Sequence, residues 1–230
     1  MRIAILVQGR WRTGALCWPK IVVGFQEYQP DIFYLSHEPE NEAEIQAVMR
    51  PTELWFPPDD PQPECDYAAN LGDGVKSPQT DLRQLADLFA LAEYIKKTGI
   101  HYDWLVRTRT DLDMVILPEP LDLLEADAVY IPCHDNWAIA KGLPGLNDRF
   151  AFGPPDLMRV VLARYHRLPE FWQQHHLFHM ETFLAWALRD TPVKRTRTTF
   201  GLWRNGNERL APYVSPAWGD VHCPLKLNQN

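Results

Sequence analysis

Tyr102-Asp103-Trp104-Leu105-Val106-Arg107-Thr108-Arg109-Thr110-Asp111-Leu112-Asp113 is the stretch on which the reading of this chain turns. Trp104 to Val106 is a short apolar run, the start of a buried strand. It passes into arginines at alternate positions and then aspartates at alternate positions. In an extended chain, residues two apart share a face, so Arg107 and Arg109 point the same way, and Asp111 and Asp113 do likewise. Two carboxylates so spaced at a strand end suit a hard divalent cation such as Mg²⁺ or Mn²⁺, whose shell a substrate's phosphates commonly complete. Arginines beside them offer planar, permanently charged donors for phosphate or carboxylate. A bare Asp-x-Asp also arises as a solvated turn. The apolar strand ahead and the adjoining arginines favour a functional reading, because charges packed against an apolar run need compensation.

Outward from this stretch, the chain alternates strand and helix. Ile3 to Val7 is a continuous aliphatic strand, and Gln8-Gly9-Arg10-Trp11-Arg12-Thr13 follows as a loop before a helical pattern from Gly14 to Tyr28. A glycine and arginines between strand and helix suit a phosphate at the helix N-terminus, although an ordinary surface turn would look similar. Neither the dinucleotide glycine fingerprint nor a P-loop is present. Asp31 to Ser36 is a second strand, Glu40 to Met49 a helix, and Glu53 to Phe56 a third strand. This alternation indicates an α/β sheet. Pro57 to Lys76 reads as a long exposed loop rich in proline and acid, either a flap or an irregular excursion. Thr80 to Thr98 is the clearest helix, with Leu85, Leu88, Phe89, Ala92 and Ile95 on one face and Gly99 after it. A strand over Ala128 to Ile131, a loop over 133–146, a strand over Asn147 to Gly153, helices over 155–166 and 171–188, and a last strand over Val193 to Thr199 complete the pattern.

Composition narrows the function classes. A chain of 230 residues with 46% hydrophobic and 23% charged content is long enough for one substantial core. A net charge of −7 argues against a general nucleic-acid binder. No apolar run reaches the about 20 residues that a membrane helix needs, and Ile3 to Val7 is too short for a signal-peptide core. The four cysteines (Cys17, Cys65, Cys133 and Cys223) are scattered without a Cys-x-x-Cys pair. They read as reduced thiols, and the expected location is cytoplasmic.

With these landmarks placed, the chain resembles nucleotide-sugar glycosyltransferases of the GT-A fold and is most similar to small bacterial enzymes of the WavE lipopolysaccharide-synthesis type. The likeness rests on Gly9 to Thr13, Asp31 to Phe33, Tyr102 to Asp111, Asn147 to Gly153 and His179-Met180-Glu181, in that order. The fold so implied is a single-domain, Rossmann-like mixed sheet flanked by helices over residues 1–200, with 201–230 an irregular tail packing on the same domain. The resemblance also implies roles. Asp111 and Asp113 hold a Mn²⁺ or Mg²⁺ that bridges the donor's diphosphate. Gly9, Arg10 and Arg12 border the nucleotide, and Arg107 and Arg109 pair with phosphates or with Asp111. Asp148 and Glu181 lie on the acceptor side, where either could deprotonate an acceptor hydroxyl if the reaction inverts. The implied partners are a nucleotide sugar and a glycan or lipid-linked glycan acceptor, with no nucleic acid and no transmembrane segment but room for peripheral membrane contact.

Other readings stay open on the sequence. A catalytically inactive module of the same fold would keep nucleotide or sugar binding. Asp111-Leu112-Asp113-Met114-Val115 also fits the nucleophile motif of haloacid-dehalogenase-like phosphatases, though that motif ends a first strand rather than following Arg-Thr-Arg-Thr in mid-chain. His175, His176, His179 and Glu181 invite a zinc reading without the His-Glu-x-x-His signature. His222 is a candidate late metal ligand. Lys194, Arg195, Arg197, Arg204 and Arg209 either face an anionic acceptor or form a solvated edge.

Overall fold

The computed structural model describes residues 1–57, 78–134, 144–176, 178–204 and 208–210. Its first strand, β1 (Ile3–Gln8), is buried along its whole length, and the two-residue period of a strand divides its side chains between two cores. Ile3, Ile5 and Val7 join Trp18, Ile21 and Phe25 of the first helix and its exit, whereas Ala4 and Leu6 join Leu88, Leu91 and Ile95 of a long helix on the other face. Burying one such aliphatic side chain contributes about 1.5–3 kcal/mol. A strand covered on both faces is therefore the natural centre of a sheet.

The large sheet has seven strands in the order β3-β2-β1-β4-β7-β6-β8. These are β2 (Asp31–Leu35), β3 (Glu53–Trp55), β4 (Trp104–Thr108), β6 (Val129–Pro132), β7 (Ala151–Gly153) and β8 (Val193–Thr196) around β1. β3, β2, β1 and β4 run parallel, β7 runs antiparallel to both β4 and β6, and β8 is parallel to β6. Helices α1 (Gly14–Val23), α2 (Glu42–Val48), α3 (Pro78–Thr98), α4 (Pro155–Leu162), α5 (Leu168–His175) and α6 (Met180–Ala187) flank it. This is the expected mixed α/β architecture in one domain. Val7 pairs with Thr108 in parallel register, so the C-terminal ends of β1 and β4 open on one edge, the place where open α/β sheets bind ligands.

Several boundaries differ from the sequence reading, each for a local reason. The strand expected over Asn147 to Gly153 shortens to β7, because the Asn147 side chain accepts from the backbone N–H groups of Arg149 at 2.9 Å and Phe150 at 3.3 Å. An Asx turn thus replaces ladder pairing. The helix expected over 171–188 is broken. His176 is left-handed at φ 51°, and His179 caps α6 by accepting from Thr182 N. His175 and His179 consequently sit on different helices and share no face. Beyond Thr199 the chain is not an irregular tail throughout. β9 (Thr199–Arg204) and β10 (Glu208–Leu210) form a three-stranded antiparallel sheet with β5 (Leu112–Ile116), in the order β10-β9-β5. The boundary expected at residue 200 therefore falls inside β9.

One further expectation changes. Cys133 is disulfide-bonded, so the reading of four reduced thiols fails there. Cys17 is a free, buried thiol. In the basic run, Lys194 is occupied by Glu125 and by Asp127 at 2.8 Å, and the Arg195 guanidinium donates to the Pro132 carbonyl at 2.6 Å. β8 is the sheet's edge, and these two charges serve it. The loop expected over Pro57 to Lys76, apart from Pro57 itself, and most of that over 133–146 lie outside the described residues. No described helix is long and apolar enough to cross a membrane.

Candidate functional site

The chain leaves the large sheet after Thr108, turns over 109–111, and enters the small sheet as β5. Polar residues at this corner stitch three segments together. The Thr110 hydroxyl donates to the Arg10 carbonyl, and the Trp203 N–H of β9 donates to the Asp111 carbonyl at 3.1 Å. Arg109 closes a fork on Asp111, with Nε to Oδ1 at 2.9 Å and Nη2 to Oδ2 at 2.7 Å. Such bidentate, charge-assisted geometry fixes the carboxylate's orientation. Burial pushes the Arg109 guanidinium down, but Asp111 outweighs it and holds the group above its ordinary value. Asp113 stands opposite Gly201 in the β5–β9 ladder, and the Lys20 ammonium from the last turn of α1 is ion-paired to its Oδ1.

Both carboxylates lie towards α1. Burial pushes the Cys17 thiol up to about 11; Thr13 opposes this and the charges of Asp113 and Asp111 add to it. Arg107 and Arg109 both feel the charge of Asp148, and Arg109 acts on Arg107 as a like charge.

The β1–α1 loop meets the same corner. Gly9 has φ +115°, a conformation that side chains rarely adopt, and its carbonyl accepts from the Tyr34 hydroxyl at 2.9 Å. Glu38 accepts from Trp11 N at 2.8 Å and from Asn41 Nδ2 at 3.2 Å, with the exposed Arg10 Nε 3.8 Å away. Arg12 is exposed, with φ +22°. A Cβ on Gly14 would stand 2.2 Å from the Trp11 ring, so glycine there lets the buried indole seat. The Arg10 carbonyl, held by Thr110, thus brings this loop against residues 109–111. Sequence reasoning missed Gln8, which is 1% exposed and whose side-chain amide makes no hydrogen bond within the described residues. Its signal was a polar residue closing an otherwise aliphatic strand.

Asp148 and Glu181 gather in an adjoining buried layer rich in arginine, near enough for the charge of Asp148 to act on Arg109. The Arg149 Nη2 stands 3.4 Å from Glu181 Oε1, and His179 Nε2 is 3.3 Å from Oε2. Arg107 and Arg164 are both fully buried. Burial pushes Arg107 down to about 9 and Arg164 to about 10, in each case against the opposing pull of Asp148. Glu181 opposes the fall of Arg164 as well. The His175, His176, His179 cluster does not assemble as a zinc site, because His179 is engaged as a cap and with Glu181.

Among the described residues no group of three or more His, Cys, Asp or Glu side chains gathers as a metal site. His222 lies outside them. The donor chemistry of Asp111 and Asp113 nevertheless fits a hard divalent cation, being two carboxylates on one corner. A carboxylate offers about four lone-pair sites, so the Arg109 fork and the Lys20 contact do not by themselves exhaust either group.

No family model and no curated protein matches the sequence. Solved structures do match the fold. The galactosyltransferase LgtC, in a complex with donor and acceptor sugar analogues, superposes with a TM-score of 0.51 at 14% identity over 80% of this chain and 70% of that one. The apo-form glycosyltransferase GlyE of Streptococcus pneumoniae TIGR4 gives 0.43 at 11% identity, over 85% of this chain and 45% of that one. A glycosyltransferase involved in glycosylation of the major capsid of PBCV-1 gives 0.41 at 11% identity, over 85% and 83%. The LgtC likeness establishes the fold, which is the GT-A type. The other two stand too far away to carry an argument.

Proposed function

We propose that this chain is a glycosyltransferase that moves a sugar from a nucleoside-diphosphate donor to a hydroxyl of a glycan or lipid-linked glycan. The observation that carries this reading is the corner where β1 and β4 end. There two carboxylates, an arginine fork and the glycine-bearing β1–α1 loop converge within a GT-A fold. Asp111 and Asp113 would hold Mn²⁺ or Mg²⁺, with phosphates and water completing the shell. When bound, that ion neutralises the diphosphate and makes the nucleoside diphosphate a better leaving group. Arg109 orients Asp111, and Gly9, Arg10 and Arg12 border the nucleotide. Asp148 and Glu181 take the acceptor side, where their arginine partners keep them oriented towards sugar hydroxyls. An acceptor in surface polysaccharide accords with the WavE-type resemblance.

The phosphatase reading is not carried forward. It needs an Asp111 oxygen as nucleophile at the end of a first strand, whereas both oxygens accept from Arg109 after β4. The test is nucleoside diphosphate release from a panel of nucleotide sugars, in Mn²⁺, Mg²⁺ or chelator. The expected result is metal-dependent release from one donor that rises with added acceptor. Binding without release in every condition would favour the inactive module.

A further inference from the structure

Asp111 and Asp113 both have cationic partners, but the two partners differ in kind. Arg109 is two residues from Asp111, holds it with two hydrogen bonds, and has a side chain only 16% exposed. Withdrawing it would strand a guanidinium in a poorly solvated place. Lys20 reaches Asp113 from another element, with a side chain 49% exposed against 5% for the carboxylate. Its ammonium ends a flexible stem, and on release it regains water while staying at the C-terminal turn of α1, where a positive charge is favoured. The buried carboxylate, by contrast, needs a counter-charge at all times.

We propose that Lys20 is the exchangeable counter-ion of Asp113, and that a divalent cation enters this corner by displacing it. The proposal rests on the metal-dependent reading above. With Lys20 in place, the charges of these four described side chains, Asp111, Asp113, Arg109 and Lys20, cancel. With a divalent ion in and Lys20 out, Asp111, Asp113, Arg109 and the ion together carry one positive charge in excess, and a second stands nearby in the released ammonium. Metal binding would thus make this set more positive and better able to attract a diphosphate, which ties donor affinity to metal.

The test is Mn²⁺ affinity without nucleotide, for the wild type and for Lys20→Met, which keeps the aliphatic stem. The variant should bind Mn²⁺ about tenfold tighter or better, the free-energy gain of removing a competing cation. Its thermal midpoint should fall in chelator and recover in Mn²⁺, by more than the wild type gains. On the unaltered protein, acylation of Lys20 by a succinimidyl ester, read by mass spectrometry, should quicken when Mn²⁺ is added. Equal Mn²⁺ affinity in both proteins, or labelling indifferent to Mn²⁺ that does bind, overturns the exchange. If neither protein binds Mn²⁺ but a nucleoside diphosphate still stabilises both, the metal reading itself fails and the exchange falls with it, while the donor site survives.

Discussion

The acidic residues of the corner and those of the arginine-rich layer both have cationic partners, and they are built to different ends. Asp111 and Asp113 sit at a sheet corner, one gripped by a neighbour in sequence and the other by a half-exposed lysine. Asp148 and Glu181 sit in a layer whose arginines are buried and whose helix cap, His179, is part of the network. Though it keeps Arg109, the first arrangement can exchange its half-exposed lysine at little cost. The second cannot, because removing either sign leaves an uncompensated buried charge. An exchangeable charge at the corner and a fixed framework in the layer follow from that contrast.

Breaking the layer should have the largest effect. Arg149→Met removes a cation whose side chain is 7% exposed from Glu181 at 3.4 Å, and should cost about 3–5 kcal/mol of stability in urea unfolding. A loss under about 1 kcal/mol, the range of surface pairs, would erase the contrast. Breaking the corner should act on turnover first. Asp111→Asn should lower kcat/KM by about 10²–10³-fold, the scale for losing one charge-stabilising group, and should also lower the unfolding midpoint, because Arg109, 16% exposed, loses its carboxylate.

A pH experiment sharpens the same picture, because Cys17 senses both corner carboxylates. Its thiol is raised from an ordinary 9.0 to about 11, chiefly by burial. The unfolded thiol ionises from pH 9, whereas the folded one resists until about 11. Stability present below pH 9 is therefore lost as the pH rises through that window, by up to about 3 kcal/mol. Cys17→Ala should remove that part of the slope, which is read as the difference between the two proteins' unfolding free energies at pH 8 and 10.5. The smallest effect expected is that of Gly14→Ala. It presses a methyl against the Trp11 ring and should cost about 1–3 kcal/mol, while lowering nucleotide affinity through the displaced β1–α1 loop.

Much of the sheet was legible in the sequence because its strands are simple. β1, β2 and β4 are runs of apolar residues, and α3 keeps a helical period. Even there the buried face proved to be Leu82, Leu85, Leu88, Leu91 and Ile95, with Asp87 among them holding His37 at 3.1 Å. What escaped notice were contacts between residues distant in the chain. Lys20 reaches Asp113 across 93 positions, and no local pattern announces it. β9 pairs Gly201 with Asp113 although its own sequence alternates poorly. The disulfide of Cys133 left no Cys-x-x-Cys spacing to find. Arg109 and Asp111, two apart on one turn, are the part of the corner that spacing could suggest.

The central claim is that the corner at Asp111 is a nucleotide-sugar donor site. It is tested most directly by the thermal shift of the purified protein against a panel of nucleoside diphosphates, with and without Mn²⁺, repeated on Asp111→Asn. The account predicts stabilisation by one nucleotide that needs the metal and disappears in the variant. No metal-dependent shift with any nucleotide, or an equal shift in Asp111→Asn, would contradict it.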